Sequence, residues 1–117
     1  MFEELKARYE SLGTDASEEQ IRLTKEALGR RQYMPVLLLP IRDFFSFTKA
    51  DMLAEFERVV ALPQESEELK AVVGLKSGNE VKEKHLLTLL NQYEILRGLR
   101  TGDGDAWALV NELYEDD

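Results

Sequence analysis

The sequence predicts an all-α fold, a compact single-domain bundle of five to six helices over residues 1–117, and three observations carry that expectation. Apolar side chains recur at steps of three and four in several separate stretches, the period of one helix face. Those stretches tend to open on serine, threonine or aspartate in a capping position and to close near glycine or proline. The segment that reads as extended, within residues 33–47, has no second strand to pair with.

Phe2, Leu5, Tyr9 and Leu12 line one face of a first helix, and Gly13 stands where a left-handed stop is easiest. Ser17 with Gln20 makes a capping box, and Glu18 and Glu19 sit at the positive end of the helix dipole, so a second helix starts near residue 17. Its apolar face is thin, chiefly Ile21, Ala27 and Leu28. Glu18 with Arg22 and Glu26 with Arg30 have the spacing of favourable ion pairs. Gly29 weakens the last turn and ends this helix around residues 29–32.

Thr48 with Asp51 repeats the capping pattern, and Phe47 with Met52 has the spacing of a hydrophobic staple. Met52, Leu53, Phe56, Val59, Val60 and Leu62 then form a broad apolar stripe that Pro63 halts. Ser66 caps a shorter helix through Leu69, Val72 and Val73, with Gly74 placed as its stop. From Asn79 to about residue 99, the spacing of Leu86, Leu89, Leu90, Tyr93 and Leu96 predicts a long helix at the centre of the bundle. Asp103, in the turn over residues 100–105, caps a last helix whose face holds Trp107, Val110 and Tyr114, with Leu109 and Leu113 beside it. Glu115 to Asp117 are expected to fray.

Composition narrows the function classes. A chain 44% hydrophobic and 32% charged has enough apolar surface for a core and lacks the long uncharged run of a membrane span. With no cysteine there is no disulfide, thiolate metal site or cysteine nucleophile, and the start "MFEELKARYE" has no apolar leader, so the cytoplasm is the expected location. Fifteen basic residues against twenty-three acidic ones leave a net charge of −8. That charge repels phosphate backbones and anionic lipid and suits a protein partner with a basic or apolar surface. It also serves solubility without any acidic site being functional.

Candidate chemistry is sparse. His85 is the sole histidine, and "KEKHLL" has neither the HExxH pattern nor a second ligand a turn away, so it reads as an ordinary surface residue of its helix. A calcium loop starting at Thr101 would place Asp103, Asp105 and Glu112 correctly but lacks the first carboxylate and has Ala106 where glycine must turn. Adjacent acids such as Glu3 and Glu4, or Glu67 and Glu68, have a sufficient reason in the helix dipole. "GDGD" follows no strand and carries acids that would repel phosphate. Arg22, Lys25, Arg30 and Arg31 cluster, but acids interleave with them. No catalytic, cofactor-binding or metal-ligating residue is therefore assigned.

What stands out is "YMPVLLLPIRDFF", four consecutive aliphatic side chains between Pro35 and Pro40. Each proline pushes the residue before it, Met34 and Leu39, toward extended backbone. Alternation then sends Val36 and Leu38 one way and Leu37 and Leu39 the other. Three readings are open: a connector buried under the helices, a Pro-kinked helix, or an exposed strand or ridge that meets another protein. Phe44, Phe45 and Phe47 cannot all face one side, which leaves one for docking. The candidate protein interface is thus Val36, Leu38, Phe44, Phe45 and Phe47.

The expected function is a non-enzymatic protein-interaction module of the assembly-chaperone, adaptor or acidic-inhibitor type, binding no cofactor. A second copy of the chain is the other partner that would cover residues 34–47. The rival from another class is a small helical-bundle enzyme using Glu80 or Glu94 beside His85. A nucleic-acid accessory protein using the four clustered basic residues is disfavoured by the net charge.

Overall fold

Ser17, Thr48, Ser66 and Ser77 each accept a backbone N–H two or three residues on, and a helix follows every one of them. In the computed structural model, which describes residues 2–72, 74 and 77–114 (for 113 and 114 the backbone), these starts organise six α-helices and no strand among the described residues. They are α1 (Glu3–Glu10), α2 (Glu18–Arg30), α3 (Lys49–Ala61), the single turn α4 (Glu67–Lys70), α5 (Gly78–Arg100) and α6 (Gly104–Tyr114), with a 3-10 turn at Phe44–Ser46. The bundle measures 39 × 33 × 21 Å.

The capping boxes at Ser17 and Thr48 are both complete. Gln20 Oε1 accepts the Ser17 N–H at 2.9 Å, and Asp51 Oδ2 accepts the Thr48 N–H at 2.9 Å. Two helices end in the Schellman arrangement, in which the residues after the helix donate backwards into its last turn. At α5, Gly102 supplies the left-handed φ of 81°, and Asp103 N–H reaches the Gly98 carbonyl at 2.8 Å. At α2 the same position is Gln32, φ 55°, and Tyr33 N–H reaches Leu28 at 3.1 Å.

At 23 residues, α5 is about 35 Å long and contacts every other helix. Its buried face carries Val81, Leu86, Leu89, Leu90, Tyr93, Leu96 and Leu99, with Leu5, Tyr9, Leu28, Met52, Phe56, Val59, Leu69 and Val110 packed in the same core. Three polar side chains are buried on it as well: Lys82, His85 and Arg100. Lys82 Nζ donates to the carbonyls of Val60 at 3.0 Å and Leu62 at 2.6 Å, closing the C-terminal end of α3 where no further helical N–H can. Arg100 Nη2 donates to the Phe45 carbonyl at 2.8 Å, and its other nitrogens have no hydrogen-bond partner among the described residues.

Several local expectations change. His85 is not a surface residue: it has no exposed area, because Leu39 and Glu55 come to it from segments remote in the chain. Along α2, Glu26 pairs with Arg22 at 3.4 Å, the reverse order of the spacing expected. Thr24 joins Leu28 on the buried face of α2, its hydroxyl donating to the Gln20 carbonyl at 2.7 Å, which lets a polar side chain sit inside without an unmet donor. α4 is only four residues long, and Val73 of its expected stripe lies outside the described residues, as do the side chains of Leu113 and Tyr114 and all of 115–117. Leu109, expected beside the apolar face of α6, is 40% exposed.

Candidate functional site: the proline-bracketed ridge

Residues 33–43 run over the outside of α5 without helical hydrogen bonding, which sets aside the Pro-kinked helix. The left-handed residues Gln32 and Asp43 stand at its two ends. Gln32 turns the chain out of α2. Asp43 tolerates its φ of 53° as aspartate commonly does, and its carboxylate pairs with Lys25 Nζ at 2.8 Å. Hydrogen bonds from Lys25 and Ser46 hold that carboxyl below its ordinary range.

Between these ends the segment alternates. Tyr33 is buried and its hydroxyl donates to Gln92 on α5. Leu39 is buried, and its N–H donates to His85 Nδ1 at 3.1 Å. Met34 and Val36 point outward, 69% and 70% exposed, while Leu37 and Leu38 are half-buried. The N–H groups of Met34, Val36, Leu37 and Leu38 make no backbone hydrogen bond with any other described residue. The result is an apolar ridge with open backbone, beside a groove of about 270 Å³ lined by Pro35, Leu37, Pro40, Ile41 and Phe45 among others.

The residues picked out from the sequence divide accordingly. Val36 is on the ridge crest. Phe44 faces inward, 4% exposed, and forms the hub of an aromatic group whose centroids lie 6.2 Å from Phe45 and 5.7 Å from Phe47. Phe45 and Phe47 are half-buried against the core, and Phe45 also lies 5.9 Å from the Tyr33 ring. Leu38 is intermediate. Met34, on the crest beside Val36, lies outside the set expected from the sequence, although its place before Pro35 marks it as extended.

Beneath the ridge lies a polar network. Arg58 on α3 grips Glu55 with Nε at 3.0 Å and Nη2 at 2.6 Å, and its Nη1 reaches Glu68 on α4 at 2.8 Å. His85 Nε2 lies 3.7 Å from Glu55 Oε1. Burial works against the Glu55 carboxylate, but His85 and Arg58 outweigh it and keep the carboxyl below its usual range. One chain of side chains therefore joins α4, α3, α5 and the ridge.

Glu80 and Glu94, which the enzyme reading sets beside His85, are exposed whereas His85 is buried. Of the clustered basic residues, Arg22 and Lys25 are paired with acids, and Arg31 donates to Asn111 at 2.7 Å and lies 4.9 Å over the Trp107 ring. Lys25 and Arg31 thus brace the end of α2 against its neighbours, while the Arg22 pair with Glu26 stays within the helix. No helix among the described residues is long and apolar enough to cross a membrane. No protein-family model, no curated protein and no solved structure matches this chain.

Proposed function

We propose that this chain is a non-enzymatic protein-binding module of the cytoplasm, in the manner of an adaptor, assembly chaperone or acidic inhibitor, and that it meets its partner along the 34–38 ridge. The observation that carries the reading is the exposure of Met34 and Val36, about seventy per cent each, in a segment whose neighbours on either side are tied to the core. Water-facing Met and Val on an extended backbone with open N–H groups offer both parts of a strand-type contact, main-chain hydrogen bonds and apolar side chains. The groove alongside would take a further side chain, and the net charge of −8 favours a partner whose surroundings are basic or apolar.

The test is the double variant Met34→Asp/Val36→Asp. Both positions are solvent-facing, so helicity and melting temperature stay within error of the parent. Affinity for a protein captured by the parent chain from its own cell and then purified falls by about a hundredfold or more, as expected when a central apolar contact is replaced by charge. Unchanged affinity would remove the ridge from the reading, and a parent chain that captures nothing and sediments as a monomer would remove the reading itself.

A further inference from the structure

His85 sits on α5 with no exposed surface, and its two ring nitrogens face different parts of the molecule. Nδ1 accepts the Leu39 N–H of the ridge at 3.1 Å. Nε2 faces Glu55 Oε1 on α3 at 3.7 Å, beyond hydrogen-bond reach, and has no partner among the described residues. An imidazole nitrogen accepts only while it carries no proton, so the bond to Leu39 requires the neutral ring with its hydrogen on Nε2. We propose that His85 is a proton-operated latch: one proton taken from solvent onto Nδ1 turns the acceptor into a donor, breaks the bond to Leu39, and frees the ridge between Tyr33 and Asp43 to leave α5.

Across α3, the Glu55 carboxylate is ionised and can close the remaining distance on Nε2, so the imidazolium gains a charge-assisted bond as the neutral one is lost. Arg58 shares that carboxylate, its Nη2 lying 2.6 Å from the same Oε1, and its Nη1 also holds Glu68 of α4 at 2.8 Å. From α1, Tyr9 donates its hydroxyl to the Leu86 carbonyl and is uncharged, burial above all raising its pKa. On α5 itself, the Lys82 ammonium is bound to the carbonyls of Val60 and Leu62. α2 turns uncharged Thr24 and Leu28 inward, and the ridge presents the Leu39 amide.

Movement of the ridge follows from the hydrogen-bond count. Leu39 is 1% exposed, so an N–H that has lost its acceptor there is unmet unless the chain shifts to reach water. Met34 to Leu38 offer no backbone bond to resist, while the Tyr33 hydroxyl and the Lys25–Asp43 pair keep the two ends in place. The latch works in this way whether or not a partner binds the ridge.

The measurement is nitrogen-15 NMR of the His85 ring together with amide-exchange protection, followed from about pH 8 down to about pH 5. In the parent chain the ring becomes imidazolium, and in the same step the protection factor of the Leu39 amide falls by about tenfold or more, while amides of Leu89 to Leu96 keep theirs. His85→Asn, whose carbonyl oxygen accepts near the place of Nδ1 without titrating, holds Leu39 protected throughout. Glu55→Gln moves the step to lower pH and carries the comparison should His85→Asn fail to fold. A ring that stays neutral over the whole span, a protonated ring with Leu39 still protected, α5 amides that open together with Leu39, or a step unmoved by Glu55→Gln would each overturn the latch.

Discussion

Tyr9 brings a hydroxyl into the apolar interior and finds it an acceptor: it is wholly buried, its ring lies 5.0 Å from Phe56, and it donates to the Leu86 carbonyl at 2.6 Å. Because that carbonyl belongs to the middle of α5 and serves the helix as well, Tyr9→Phe removes a donor without orphaning an acceptor, and about 1 kcal/mol of unfolding free energy should be lost in a urea titration. Glu55 is different, since its removal leaves Arg58 without its bidentate partner. Its pKa is depressed in the folded state, so its contribution is present above the ordinary carboxyl range and disappears as pH falls through the lowered value. Glu55→Gln therefore costs about 1–3 kcal/mol at neutral pH, toward the lower figure because Arg58 is 40% exposed and screened, and the variant loses less than the parent on going below about pH 4.5. A parent and variant that fall together in acid would show that Glu55 stores nothing of that kind. Tyr93 belongs to the same class of buried hydroxyls: burial first, and then Asp15, push its pKa up to about 12, so it stays neutral and donates to Asp15 Oδ1 at 3.1 Å.

At the scale of the element, what was readable in the sequence is what depends on neighbours three or four residues away. Ser17 with Gln20 and Thr48 with Asp51 are complete capping boxes because the bonds they make are local, and the apolar stripe of α5 shows its period directly. The burial of His85, Lys82 and Arg100 was not readable, since their acceptors and donors come from Leu39, Leu62 and Phe45, 46, 20 and 55 residues away. The same holds for the candidate site: the two prolines announce an extended segment, yet which side chains of it stay dry is settled by pins to Gln92 and His85 that no local pattern encodes. Helix ends give a clean comparison. Gly102 signals the Schellman stop of α5, while Gln32 makes the equivalent turn after α2 with no glycine to announce it. An L-residue held at positive φ costs about 1–2 kcal/mol, and glycine returns part of its relief through a freer unfolded chain. Gln32→Gly should accordingly stabilise the protein by about 0.5–1 kcal/mol, visible as a raised urea midpoint at constant slope. A drop in stability would mean that the Gln32 side chain makes a contribution beyond its backbone.

For the molecule as a whole, α5 is the common partner of α1, α2, α3, α4 and α6, and that arrangement decides how it comes apart. A bundle whose helices met mainly in neighbouring pairs could shed its terminal helix early. Here α6 is tied to α5 at two points, by Trp107 Nε1 donating to the Leu99 carbonyl at 3.1 Å and by the close approach at Gly98, where an added Cβ would come within 3.0 Å of the Ala106 Cβ. It is tied to α2 as well, through Arg31 and Asn111. Trp107 is the sole tryptophan, so its fluorescence reports α6 and its seat, whereas circular dichroism at helical wavelengths reports all the helices. The two signals should trace one coincident urea transition, as expected of a small domain that unfolds as a unit. Leu90→Ala, which opens a cavity at a fully buried site on α5, should move both midpoints down together by the equivalent of about 2–5 kcal/mol. A fluorescence transition that comes first and ignores Leu90→Ala would make α6 a separable appendage instead of a member of the bundle. The ridge would behave unlike either: Met34→Asp and Val36→Asp change a surface that contributes little to the core, and neither midpoint should follow them.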